Sequence, residues 1–222
     1  MSEAKAETAK PKRKRLDPGQ REEEIVEGAS LYFSEVGFGG SMRDLAARLG
    51  ISHALLFRYF PTKEALVDRV YDRIFLSRWD PAWDALLDEH CLPLAERLVR
   101  FYRDYLNAID RPEWVRTFVY AGLAGVNINQ RYLNLIKRKV ITPVAVELLR
   151  LAGRRDEKAV CDEAMELSWG LHGEIFYLAI RRWVYGIKVC PDLDEFVGLT
   201  VTKFLEGAPA ALREKGGRMR AP

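Results

Sequence analysis

Apolar residues recur three and four positions apart through most of this chain, which is the period of an α-helix, and no alternation is long enough for a strand. Asp17, followed by Pro18 and Gln20, predicts a helix start, and Ile25, Ala29, Phe33 and Val36 form its inward stripe up to a stop at Gly37. Met42, Leu45, Ala46 and Leu49 make the next stripe, capped by Ser41 with Asp44 three residues on, and ended by Gly50. Ser52 caps a short helix whose Leu56 and Phe60 face inward. Pro61 and Thr62 then break and restart the chain toward about Arg78, with Val70, Ile74 and Phe75 turned to whatever follows.

Beyond Trp79 the same period continues with more aromatics. Pro81 marks a break, and Leu94 to Ala108 is amphipathic. Pro112 opens a helix carrying Trp114, Phe118 and Ala121. Asn127 to Leu151 predicts a longer helix kinked near Pro143. Asp156 opens a helix toward Tyr185 that is apolar on nearly all sides, so burial on more than one face is expected, with Gly170 and Gly173 allowing close approach of another helix. Asp192 and Glu195 cap a last helix ending near Leu205. The expected fold is all-α, in four parts. Residues 1–17 form a disordered basic arm, 18–75 a three-helix head, 76–207 a helical body and 208–222 a flexible tail.

Outward-facing positions suggest chemistry for the second and third helices. Helix, short turn with glycine, helix is a helix-turn-helix pattern. With Leu56 inward, Ala54 and Arg58 lie on the far side and Leu55 and Phe57 on the flanks. Arginine can make two hydrogen bonds to a guanine edge, and apolar groups can meet a thymine methyl. The alternative is a helical hairpin buried in a helical core.

Composition bears on the choice only through its distribution. A net charge of +3 is too small to imply nucleic acid, but Lys10, Lys12, Arg13, Lys14 and Arg15 cluster just before the head. That arm either follows a DNA backbone or is a solvated tail. With 48% hydrophobic residues the chain of 222 can bury a real core. Three scattered cysteines without a CxxC spacing argue against a disulfide framework and point to a reducing, cytoplasmic location. No apolar run reaches the roughly 18 residues a membrane span needs, and the amino terminus lacks a signal-peptide core, so no membrane partner is expected.

The segments REEEIVEGASLYFSEVGF, SMRDLAARLGIS and LLFRYFPTKEALVDRV, from about Gln20 to Phe75, resemble the DNA-binding domain of the tetracycline-repressor (TetR/AcrR-like) family of bacterial regulators, most specifically in YFPTKEAL. The resemblance implies a DNA face drawn from Ser41, Met42, Arg43, Ser52, His53, Ala54, Leu55, Phe57, Arg58, Tyr59, Thr62 and Lys63. In the family the helix beginning after Thr62 sets its first turn on a phosphate, assisted by the residue at Lys63. This chain departs at Ala54 and Leu55, where small residues and a hydroxyl are usual, and at Phe57, where tyrosine is usual. The resemblance also implies a homodimer formed by the last two long helices, double-stranded operator DNA as partner, and a small-molecule effector held in the body.

No GxSxG, Walker or HExxH motif is present, and His53, His90 and His172 are scattered, so no catalytic residue, metal or cofactor is assigned. His90 beside Cys91 is weak evidence for a metal, because adjacent helical residues point apart. His172, among Trp169 and Phe176, is either a polar hook in an effector cavity or a core histidine bonded to a neighbour. The aromatics of the body pose the same choice. Tyr105, Phe118, Asn127 and His172 are the candidate effector residues. The expected function is a sequence-specific transcriptional regulator, most simply a repressor released from a palindromic operator by the effector. The alternatives are an all-helical small-molecule-binding protein or enzyme with a structural hairpin, and a scaffold binding another protein.

Overall fold

A computed structural model describes residues 17–154 and 160–218; the basic cluster and Asp156 lie outside them. Among the described residues the chain is built from helices without strands. α1 (Pro18–Val36) starts where Asp17 accepts from the Gly19 N–H at 3.1 Å and ends at Gly37, in a left-handed backbone with φ 72°. α2 (Met42–Leu49) is capped by Ser41, whose Oγ accepts from the Asp44 N–H at 3.1 Å and donates to the Asp44 carboxylate at 2.6 Å. Gly50, at φ 62°, turns the chain so that the Ile51 N–H reaches back to the Ala46 carbonyl, closing the helix end. α3 (His53–Tyr59) and α4 (Lys63–Ile74) follow.

The body comprises α5 (Ala82–Leu87), α6 (Leu94–Ile109), α7 (Pro112–Leu123), α8 (Ile128–Ile136), α9 (Thr142–Leu151), α10 (Asp162–Trp183) and α11 (Leu193–Arg218). Its core is continuous with that of the head. α1 packs along α7, and Phe75, just past the end of α4, sets its ring edge-on to Trp114 at 4.9 Å. Gly28 lets α1 and α2 meet closely, since a Cβ there would stand 2.1 Å from Leu49 Cδ2.

Four expectations need correction, and a fifth, the interruption near Pro143, is met in a specific form. Val36, assigned to the inward stripe of α1, is half exposed because the helix ends at it. α4 stops at Ile74, with the buried Phe75 as its C-cap donating its N–H to the Tyr71 carbonyl at 2.9 Å, and the chain tightens into a 3-10 turn over Leu76–Arg78. The kink near Pro143 takes the form of a π turn, Lys137–Ile141, immediately before it; proline in the first turn of α9 has no N–H to continue the ladder. α10 is not enclosed on all sides: Ala164, Leu171, Ile175 and Leu178 are buried, whereas Gly170, Gly173 and Tyr177 are exposed. Finally, α11 does not end near Leu205. Ala208 and Leu212 bury a further apolar face and Arg213 donates to the Leu151 carbonyl at 3.1 Å, so the helix runs on through residues expected to be a frayed tail, with Pro209 inside it.

Candidate nucleic-acid interface

α3 is held by its ends and by one inward side chain. Ser52 Oγ accepts from the Leu55 N–H at 3.1 Å, while Leu56 is fully buried and Phe60, beyond the last turn, is 3% exposed. What faces out is therefore decided by the helical period: His53, Ala54, Phe57 and Arg58 are exposed, and Leu55 and Tyr59 are half-buried on the flanks. His53 lies against Phe57 one turn on, ring centroids 4.5 Å apart, giving a small aromatic platform beside Arg58. Arg58 and Arg43 make no ion pair or hydrogen bond among the described residues, so both guanidinium groups are available to an anionic partner.

The framework around α3 is tied to the first helix and to α4. Arg48 pairs with Glu35 at 2.5 Å and lies over the Tyr32 ring, holding α2 against α1. Arg69 and Arg73 of α4 pair with Glu22, Glu23 and Glu27 of α1. Each such pair is exposed and individually weak, but together they join the helices on either side of the hairpin.

Two members of the expected DNA face are placed elsewhere. Met42 is buried under α2 with Leu45 and Ala46, because it begins that helix's inward stripe, and it offers no surface to a duplex. The Lys63 ammonium donates to the Phe38 carbonyl and, at 2.8 Å, to that of Gly40. It thus clamps the turn between α1 and α2, whose carbonyls have no helical partner, instead of standing free for a phosphate. Thr62 Oγ1 accepts from the Ala65 N–H at 3.1 Å; like Ser52 it keeps its hydroxyl proton to donate outward, whereas Ser41 gives its own to Asp44.

The candidate effector residues also divide. Tyr105 and His172 meet in the centre of the body, hydroxyl to Nε2 at 3.4 Å, and Tyr132 donates to the Tyr105 hydroxyl at 3.2 Å. Burial holds the imidazole well below its ordinary range, at about 4, so it is neutral near pH 7. Phe118 borders this cluster through Tyr132, ring centroids 6.0 Å apart. Asn127 lies apart. It stands at the N-cap position of α8 without a side-chain capping bond, and lines a cleft of about 420 Å3 between α4 and α8, with Phe38, Val67, Asp68 and Arg131. Sequence reasoning passed over Arg131, which joins body to head: it pairs with Asp68 at 2.5 Å and stacks over Tyr71 at 4.0 Å, both on α4. Nothing in the spacing of a single arginine signals that role.

Among the described residues no cluster of three His, Cys, Asp or Glu side chains could hold a metal ion, and no helix is long and apolar enough to cross a membrane.

Residues 25–70 match the family model of bacterial regulatory proteins, tetR family. The HTH-type transcriptional regulator LuxR of Vibrio harveyi is 40% identical over 67 residues, covering 30% of this chain and 33% of that protein. An HTH-type transcriptional repressor of Mycobacterium tuberculosis is 38% identical over 101 residues, covering 40% of this chain and 54% of its own length. The chain therefore spans about half, or less, of the curated relatives it matches. In fold it is similar to a TetR-like transcriptional regulator from Rhodococcus sp. RHA1, with a TM-score of 0.63 and 22% identity over 87% of this chain and 100% of that one. A putative TetR-family regulator from Mesorhizobium loti gives 0.58 and 16%, covering 86% and 98%.

Proposed function

We propose that this chain, whose residues 25–70 match the family model of bacterial regulatory proteins, tetR family, is a sequence-specific transcriptional regulator of that family acting in the cytoplasm, and that it represses by occupying a palindromic operator. The carrying observation is α3, anchored by Leu56 while Arg58 stands outward and unpaired. Arg58 reads base edges, Phe57, His53, Ala54 and Leu55 meet the groove wall, and Arg43, Ser41, Ser52, Tyr59 and Thr62 approach the backbone.

Two copies are needed to present two such helices to one duplex. Support for pairing through the last two helices comes from the exposed strip of Gly170, Gly173 and Tyr177 on α10 and from Leu199 on α11, which is 65% exposed. A groove of about 550 Å3 between them is lined by Leu167, Leu171 and Phe204. Among the described residues nothing beyond the helix's own backbone lies within 4 Å of a Cβ built at either glycine, which leaves room for a second copy's helix. An effector held near Tyr105, Phe118 and His172 releases the operator by favouring a body conformation that misplaces the two α3 helices. It does so only by its difference in affinity for the two states.

A gel shift of the purified protein against the DNA upstream of its own gene tests the reading. Salt-sensitive retardation of one sequence over others is expected. Equal, weak binding to all DNA would instead favour an enzyme or small-molecule carrier whose hairpin is structural.

A further inference from the structure

Four helices bring hydrogen-bonding rings to one buried place: Tyr102 and Tyr105 from α6, Trp114 from α7, Tyr132 from α8 and His172 from α10. The hydroxyl of Tyr132 donates to that of Tyr105, which in turn faces His172 Nε2. If Tyr105 passes its own proton on in that direction, Nε2 accepts and the hydrogen of the neutral imidazole sits on Nδ1. That Nδ1, the Tyr102 hydroxyl and the Trp114 indole nitrogen have no hydrogen-bond partner among the described residues, although all three side chains are buried. Tyr102 and His172 are neighbours, with ring centroids 6.0 Å apart. Buried polar atoms in folded proteins nearly always find partners, and leaving one without a partner is costly. Phenylalanine at residue 102 would fill the same space without that cost.

We propose that Tyr102 and His172 are the polar hooks of the effector site, and that the effector is an uncharged, flat, ring-bearing molecule with a hydrogen-bond acceptor such as a hydroxyl or carbonyl. This rests on the reading of the protein as an effector-controlled regulator. The packed rings around these hooks favour a flat ligand that can stack among them: Trp169 stands edge-on to His172 at 5.9 Å, and Tyr105 stacks on Phe101 at 5.6 Å. The absence of charge follows from the ring groups themselves. Burial alone keeps His172 deprotonated, with no acid or base contributing, and desolvation raises both Tyr102 and Tyr105, so all stay neutral. An ionised ligand would enter without a counter-charge, which a dry interior penalises heavily.

The same place is wired to the head. The helix that carries Tyr132 is bounded by Gly125, in a left-handed backbone, and by the π turn at Lys137–Ile141, two breaks in the regular ladder. A ligand on Tyr102 and His172 makes room by shifting Tyr132. The Tyr132 ring lies 5.5 Å from Phe75 at the end of α4, and Arg131, next to it in α8, holds Asp68. Moving α8 therefore pulls on α4.

The test uses the full chain without DNA and three probes on one ring system: 1-naphthol, 1-naphthoate and unsubstituted naphthalene. Calorimetric titration is expected to show 1-naphthol binding at least tenfold tighter than the other two. Tyr102→Phe should melt at the same temperature as the wild type or higher, yet bind 1-naphthol five- to tenfold more weakly, and His172→Gln should bind it more weakly too. Three results would overturn the proposal: no binding of 1-naphthol at millimolar concentration, tighter binding of the carboxylate, or a Tyr102→Phe protein that melts several degrees lower, since the hydroxyl would then serve the fold. Operator binding is measured on the same preparations. Retardation of the operator without any probe binding sinks this inference and leaves the DNA reading standing. Probe binding by a protein that retards no operator leaves the site and sinks the regulator.

Discussion

Arg58 and Lys63, five residues apart, look alike in the sequence and do different work in the fold. Arg58 is exposed and unpaired. Arg58→Ala should relax base preference at one operator position and cost about 1–3 kcal/mol of binding there, without changing melting temperature. Gel shifts against an operator with that position varied would show it, and an unchanged preference removes Arg58 from the reading set. Lys63 instead holds two carbonyls of the turn between α1 and α2. Lys63→Ala should lower the stability of the protein by about 1–3 kcal/mol in denaturant unfolding. A protein of unchanged stability that bound all DNA less well, with a flatter salt dependence, would return Lys63 to the phosphate backbone.

At the scale of elements, the contact that matters is α8 on α4. Arg131 is partly exposed, so its bond to Asp68 and its stacking on Tyr71 should together stabilise the fold by only about 1 kcal/mol. Its consequence is positional. Arg131→Met should leave the melting temperature within a few degrees of wild type, speed amide exchange in α4, and weaken operator binding several-fold. Unchanged exchange in α4 would mean that Phe75 and its ring neighbours hold the junction unaided. The helices themselves were legible from apolar spacing and from caps at Asp17, Ser41, Ser52 and Thr62. Their junctions were not. The π turn before Pro143 and the early end of α4 depend on how Phe75 and the α8–α9 segment pack, which local preference does not encode. The extension of α11 past Leu205 has a related cause: Gly207 and Pro209 are poor helix formers, but the burial of Ala208 and Leu212 outweighs them.

For the molecule as a whole, the proposed function requires two copies. Gly170→Arg would place a long charged side chain on the exposed strip of α10, where among the described residues nothing beyond the helix's own backbone lies within 4 Å of the new Cβ. The variant should fold, sediment as a monomer and lose at least a hundredfold in operator affinity. A variant that stays dimeric would move the interface off this strip.

Period, caps and a short run of motif residues were enough to establish an all-helical chain with a helix-turn-helix head, and to turn Arg58 outward. These are consequences of local geometry, in which each side chain's direction follows from its place in a helix. Tertiary structure alone decided that Lys63 serves a turn, that Asn127 lies apart from His172, that Arg131 ties α8 to α4, and that Tyr102 carries a buried hydroxyl without a partner. Each of those depends on groups brought together from distant parts of the chain, and the helical period fixes no distance between one helix and another.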